Sequence, residues 1–504
     1  MATIGERAFR AHDRVAGRRN STVTGFATTG FAVTGFAAAA LLAIVTSGFI
    51  PPSYGVALSL IAVGMLVLVW LALHRRVHIM RVPDMYRLAV IWALPLTVAR
   101  PLFSGDLWSY LAQGLTAARG LDPYTLGPAQ ALGPDSAVTQ HVSHYWVDTP
   151  APYGPVWLTV SRAVAEIAGD NLLWSVLFYR LIALAGVFLI GWALPRLARR
   201  GGVSPVSALW LGLLNPLVLW HLVAGAHNDA LMIGTMLVGM ELALSALDRD
   251  GRGGTSLVPR GGWSRFAAGM TLLTIAACIK VVAVVAICCV AAELARRHGR
   301  PVRTALFVLL GAAAGMTVFS SIGGFGWISA MHSSTTVYSW MSPTTGTGLL
   351  IGLASGGEDT ATVVTVLNIA GLAVFLLLAL RLLLSVYRGR ISALRSLGLI
   401  FAAMLLCAPV VQPWYLLWAL LPLAATTRRH RARVVMIVIS AVVALVTPPL
   451  AAAAPHLVVG YLIAITVLAA TVAIPAVRRR CLLPVTRRPA EIPATVGSTV
   501  VAAR

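Results

Sequence analysis

Charge is scarce in this chain of 504 residues: 11% of positions are Asp, Glu, Lys or Arg, against about 25% in an ordinary soluble domain. Lysine is almost missing. Lys280 is the only lysine among 39 basic residues, the rest being arginine. The five cysteines, Cys278, Cys288, Cys289, Cys407 and Cys481, lie in or beside apolar stretches without paired spacing. That pattern argues against a disulfide framework or a cysteine zinc site. No cleavage site follows the arginines between Arg7 and Arg19, so the first apolar segment reads as a retained anchor. A repeat of several helices is also missing, which counts against a transporter built on internal symmetry. The short TGFA triplet at 24–37 is low complexity.

What is abundant is apolar residue, at 58% of the chain. Runs of membrane-spanning length recur, so the expectation is an all-α polytopic membrane protein with about thirteen to fourteen transmembrane helices. The net charge of +22 would suit nucleic acid, but its distribution excludes that partner. Arginines gather at segment ends, at 75–81, 196–200, 296–300, 428–433 and 478–480, as cytoplasmic clamps do under the positive-inside rule. On that rule residues 1–28 form a basic cytoplasmic tail, 29–476 the membrane domain, 248–265 a cytoplasmic Gly/Arg loop and 477–504 a cytoplasmic tail. Both termini are then inside. The expected spans lie near 29–50, 54–73, 86–102, 172–195, 206–224, 227–246, 266–280, 281–295, 304–322, 361–385, 392–410, 413–427, 433–451 and 456–476.

The largest polar interruption, 102–155, places Asp106, Asp122, Asp135 and Asp148 against a lone Arg119, the bias of an external loop. A full span over PYGPVWLTVSRAVAEIAG would put Arg196, Arg199 and Arg200 outside, so this piece reads as re-entrant or interfacial. Asp106 either caps the amphipathic stretch after it or serves as a base, beside Tyr110 and Gln113, toward a sugar hydroxyl; the two roles are compatible. Lys280 sits between two short spans that form a tight outward hairpin. A lone ammonium there suits a lipid phosphate, or snorkels as an anchor. His221, His227, Asn228 and Asp229 gather at another outward turn, after the helix-breaking Asn215-Pro216. They bind or position substrate, or cap the helix starting near 229; too few ligands share the turn for a metal site. His332, Tyr338 and Trp340, and then Gln412, Trp414 and Tyr415, offer aromatic and polar surface that could equally be an interfacial belt.

Taken in order, FSGDLWSYLAQG, GLDPYTLGP, TPAPYGPVW, NPLVLWHLVAGAHND, the IKV around Lys280, SWMSPTT and QPWYLLW resemble the actinobacterial polyprenol-phosphate-mannose-dependent α-1,6-mannosyltransferases. The resemblance covers roughly residues 50–475. It implies a GT-C glycosyltransferase of the plasma membrane, building the lipomannan and lipoarabinomannan backbone with an extracytoplasmic active site. The implied donor is polyprenyl-phosphate-mannose, the implied acceptor a lipid-anchored mannan, and the implied base Asp106. A β-linked donor would give an α-linked product by inversion. Donor phosphate and lipid would meet Lys280, Trp340, Gln412 and Trp414. Tyr110, Gln113, Tyr124, Asp148, Tyr153, His227, Asn228, Asp229 and His332 would bind or position substrate. No cofactor or metal is expected, since a monophosphate leaving group needs less metal help and no DxD-type pair is seen. A GT-C transferase for another polyprenyl-linked sugar, such as arabinose, and a lipid or sugar transporter remain open.

Overall fold

The structure, a computed structural model, describes residues 28–102, 104–169, 171–248, 262–330, 339, 341–357, 359–450 and 452–474. The described residues are helical, with no strand among them. Among the described residues seven helices are long and apolar enough to cross a membrane: α1 Thr28–Thr46, α2 over Tyr54–His74, α7 Leu172–Gly201, α9 Asp229–Leu247, α12 Pro301–Gly323, α15 Thr360–Tyr387 and α19 Ala454–Ala473. The other expected spans fall on shorter pieces: α3 Val82–Thr97, α8 Pro205–Leu211, α10 Trp263–Ile279, α11 Val284–His298, α16 Ala393–Cys407, α17 Leu416–Thr426 and α18 His430–Val446.

Burial sorts these helices into centre and rim. α9 is 78% buried over its apolar window, whereas α15 and α19 are 11% buried. Leu377, 68% exposed on α15, would be an anomaly in water but faces hydrocarbon here. α9 is packed by glycine rather than by shape-matched side chains. A Cβ on Gly186 of α7 would meet the backbone of Ala230 at 2.3 Å, and one on Gly269 of α10 would meet Ala243 at 2.6 Å. Small residues let helix backbones approach where no hydrophobic effect drives association. Trp70 of α2 and Trp210 of α8 stack at 5.0 Å, and each indole N–H donates to the other's carbonyl at 2.9 Å.

The 206–224 span is broken. Asn215 takes the backbone out of the helix: its Nδ2 donates to Leu211 O and Ser440 Oγ, and its Oδ1 accepts from Leu217 N. The chain then re-enters as a π-helix over Val218–Ala224 and turns at Ala226 with φ +50°. Short π segments of this kind recur at functional sites. α14 Pro343–Ala354 lies partly where the sequence reads as a polar loop. Ser342 starts it by accepting from Thr345 N, with Pro343 at its first position.

Between α3 and α7 lie α4 Asp106–Ala118, α5 Pro128–Leu132 and α6 Pro155–Ala168. α6 has 14 residues, roughly 21 Å at 1.5 Å per residue. α4 and α6 run side by side in parallel, with Tyr110 edge-on to Trp157 at 4.9 Å and Gly114 against Ser161. Arginines of the 196–200 and 296–300 clusters lie at the opposite end of α9 from Asp229. There Arg200 pairs with Glu241, and Arg297 pairs with Asp248 and Glu293.

A Cβ on Gly114 would sit 2.3 Å from Ser161 O, and backbone cannot yield as a side chain does. Gly114→Ala is therefore expected to cost about 1–3 kcal/mol, read as a lowered thermal unfolding midpoint in detergent. An unchanged midpoint would mean that α4 and α6 are not held this closely.

Candidate active site

Three breaks in helical structure bring Asp106, His227, Asp229 and Lys280 into one cluster of side chains. The first is the start of α4. Gly105 is the residue before the helix, Asp106 begins it, and no side chain caps the end. The Asp106 carboxylate is thus not spent as a helix cap; instead Ser104 Oγ accepts the Asp106 N–H at 3.1 Å. Asp106 Oδ2 lies 3.4 Å from His227 Nδ1, close for an ion pair and long for a hydrogen bond. Burial raises the Asp106 pKa, but His227, the Lys280 charge and the Ser104 hydroxyl outweigh it, so the group lies below the usual carboxylate range.

The second break is the turn between the π-helix and α9. His227 is fully buried, stacked on Trp414 at 3.9 Å, and its Nε2 lies 3.4 Å from Ser104 Oγ. Asn228 precedes α9 yet makes no side-chain cap, so the capping reading of that residue does not hold. Both Asn228 side-chain heteroatoms are buried without a partner, and its N–H makes a long 3.5 Å approach to the Tyr110 hydroxyl. Asp229 is fully buried.

The third break is the extended residue between α10 and α11, which is Lys280. Its Nζ donates to Asp229 Oδ1 at 3.1 Å and Oδ2 at 2.9 Å. Trp418 Nε1 also donates to Asp229 Oδ1, at 2.7 Å. The ammonium lies 4.7, 5.2 and 5.9 Å from the ring centres of Tyr415, Trp418 and Tyr153, within cation–π reach. Tyr153 gets there because Gly154 docks on the end of α10: its N–H donates to Ile279 O at 3.2 Å. A Cβ on Gly154 would lie 2.1 Å from Cys278 O.

The remaining sequence candidates divide. Tyr110 stacks edge-on to Tyr153 at 5.3 Å, beside the cluster. Gln113 is buried on the same helix with Oε1 unpartnered, and no hydrogen bond joins it to Asp106. Half-buried Gln412 starts the turn that carries Trp414. Tyr124 packs elsewhere, with Ala151, Leu158 and Ala330. Asp148 is exposed, and only its backbone lies against Gly127. His332 and Trp340 fall outside the described residues. Ser339 and Ser342, which are described, donate to Val411 O and Ala408 O, both at 2.6 Å. Among the described residues no three His, Cys, Asp or Glu side chains group as metal ligands.

Sequence reasoning missed Ser104, Trp418 and Arg180. Trp418 follows Trp414 by one helical turn, which was the available signal. Arg180 is 2% exposed, in the middle of the expected 172–195 span, and an intramembrane charge is a functional candidate by default. Its guanidinium donates to Leu96 O at 2.7 Å, Val223 O at 2.5 Å and Ala99 O at 2.9 Å. Those carbonyls end α3 and the π-helix, so one side chain ties together the two segments that deliver Asp106 and His227.

Residues 15–296 match the model of the alpha-(1->6)-mannopyranosyltransferase N-terminal domain, and residues 342–475 match that of the MptB C-terminal domain. The chain belongs to the alpha-(1->6)-mannopyranosyltransferase family. Similar members include an alpha-(1->6)-mannopyranosyltransferase of Mycobacterium tuberculosis, 40% identical over 68% of this chain and 66% of the relative. A probable alpha-(1->6)-mannopyranosyltransferase of Mycolicibacterium smegmatis is 42% identical over 68% and 64%. Alpha-(1->6)-mannopyranosyltransferase B of Corynebacterium glutamicum is 36% identical over 73% and 65%. The chain thus matches slightly under two thirds of the length of these three relatives. No solved structure matches. The N-terminal family match takes in Asp106, the His227–Asp229 turn and Lys280; the C-terminal match takes in Trp414 and Trp418.

With side chains only 14% and 0% exposed, Lys280 and Asp229 depend on each other's charge. Removing one partner alone, by Asp229→Asn or Lys280→Met, is expected to cost about 3–5 kcal/mol. The double variant Asp229→Leu/Lys280→Met should lose clearly less than the sum, in a double-mutant cycle of unfolding free energies. Strictly additive losses would show that the pair is not coupled.

Proposed function

We propose that this chain is an inverting glycosyltransferase that moves mannose from polyprenyl-phosphate-mannose onto a lipid-anchored mannan, forming α-1,6 linkages on the external side of the plasma membrane. Family membership supports the sugar and the linkage. The observation that supports the chemistry is that the Asp106 carboxylate and the Lys280 ammonium belong to one cluster, close enough for the lysine charge to act on the carboxylate. A transfer of this kind needs a base and a counter-charge across a single reacting carbon.

The acceptor 6-hydroxyl oxygen forms a bond to C1 of the mannose as the C1–O bond to phosphate breaks. The bonding pair leaves on the phosphate oxygen, and the hydroxyl proton passes to the Asp106 carboxylate. A β-linked donor then yields an α-linked product. Asp106 suits the base role because its lowered pKa keeps it ionised; His227 and Ser104 hold it in place. Lys280 would stabilise the departing phosphate as charge develops there. Asp229 positions that ammonium, and the bound phosphate would share it. Tyr110 and Tyr153 pack edge-on beside the ammonium, and buried Asn228 has amide groups to offer sugar hydroxyls. Trp414 fixes the His227 ring. Reliance on Lys280 also makes the reaction independent of a metal, which a chelator would leave unchanged. The arginine-rich end, opposite the cluster, would face the cytoplasm.

Membranes carrying the wild type or Asp106→Asn, supplied with radiolabelled polyprenyl-phosphate-mannose and a short α-1,6-mannoside, test the base. Transfer should fall about 100- to 10,000-fold with donor KM little changed. Wild-type transfer by the Asn variant would remove Asp106 from the mechanism. The ionised form of a group with lowered pKa persists as pH falls until the lowered value is reached. The acid limb of the rate profile should therefore lie below that of a free aspartate; a limb above it would contradict the assignment.

A further inference from the structure

A second polar site lies at the far end of the same pair of helices. α4 and α6 leave the cluster in parallel and, roughly 17 Å along α4 from Asp106 at 1.5 Å per residue, open into a groove. Its volume is about 460 Å3, and it is closed on the third side by the end of α12. Asp122, Thr159, Arg162 and Glu166 supply its polar lining. Asp122 is exposed, and its Oδ1 accepts the Tyr124 N–H at 2.9 Å. Arg162 Nε donates to Glu166 Oε1 at 2.7 Å, with both side chains about half exposed. The pair holds its own geometry yet keeps free donors and acceptors.

The third wall is bare backbone. α12 ends at Gly323 and Gly324, and Gly324 has φ +92°, a conformation open to glycine. A Cβ on Gly323 would meet Pro155 O at 2.4 Å, and one on Gly324 would meet the Tyr124 ring at 3.3 Å. Tyr124 is itself buried under this wall, with its hydroxyl unpartnered. Two carboxylates against one guanidinium leave the groove net negative. That repels an anionic lipid headgroup or a free phosphate. It suits a neutral ligand with many hydroxyls, which donates to carboxylates and accepts from arginine.

We infer that the groove between α4, α6 and α12 is a distal subsite for the growing acceptor chain, holding mannose units several residues behind the one that reacts beside Asp106. This rests on the mannosyl-transfer reading and deepens it. A processive extender gains from such a site, because acceptor affinity then rises with chain length while the reacting end stays the same. The groove lies about three turns along the helix that begins with Asp106, so one helix carries both sites.

The test is direct binding to the purified full chain in detergent, with α-1,6-linked mannobiose and mannohexaose as ligands. Two variants disable the groove in different ways: Arg162→Ala/Glu166→Ala removes its polar pair, and Ala163→Trp fills it from an exposed position on α6. The wild type should bind mannohexaose more tightly than mannobiose. Both variants should weaken mannohexaose about tenfold, the scale of one lost hydrogen bond to a charged group, and leave mannobiose unchanged. The inference is overturned if the wild type shows no length preference, if the variants retain it, or if both sugars weaken equally. It is also overturned if anionic-lipid nanodiscs, rather than sugars, show the variant-sensitive binding. A wild type that binds mannohexaose in this way but transfers no mannose would sink the proposed function and leave the groove standing.

Discussion

The structure depends most on one buried ion pair, Lys280 with Asp229. A lysine that must hold its charge away from water needs a partner, and so does a fully buried aspartate. Meeting that need fixes the ends of two helices, since Asp229 starts α9 and Lys280 follows α10. It also fixes the turn before α17, because Trp418 donates to the same carboxylate and Tyr415 stacks on Trp418 at 4.0 Å beneath the ammonium. Parts of the chain almost 190 residues apart are thereby held around one point.

Arg180 does the corresponding work on the other side of the cluster without a carboxylate. Its three backbone acceptors are carbonyls left open at the ends of α3 and the π-helix, groups that a helix terminus otherwise leaves unsatisfied in lipid. Breaking helices within a membrane exposes such groups, and breaks are what bring Asp106, His227, Asp229 and Lys280 together. The ion pair, the arginine and the close glycine contacts at Gly114 and Gly154 are the means by which broken backbone is tolerated at that depth.

Fold class was legible because it rests on composition and the length of the apolar runs. The helix expected after PYGPVW is present as α6, packed on α4. Asn215-Pro216 was recognisable as a break, though not as the entrance to a π-helix. Asp106, His227, Asp229 and Lys280 stood out as charged or ionisable residues in an apolar chain. Their pairing did not, because Lys280 and Asp229 are 51 positions apart and nothing local joins them. Lys280 read as a lone ammonium, whereas the fold gives it a carboxylate. Asp106 read equally as a helix cap, and only the geometry of Gly105 and Ser104 frees it. Arg180 went unnoticed amid so many arginines, although its place in mid-span sets it apart. Tyr124 and Asp148 share the polar loop with Asp106 but not the cluster, since loop membership says little about where α4 and α6 carry each residue.

The central claim is that a single cluster sets Asp106 and Lys280 on opposite sides of the reacting carbon. A structure of the chain with polyprenyl phosphate and an α-1,6-mannoside bound tests it most directly. The account predicts phosphate oxygen within hydrogen-bond distance of Lys280 Nζ and the acceptor 6-hydroxyl within the same reach of Asp106. Phosphate bound among the arginines at the opposite end, or a 6-hydroxyl remote from Asp106, would contradict it.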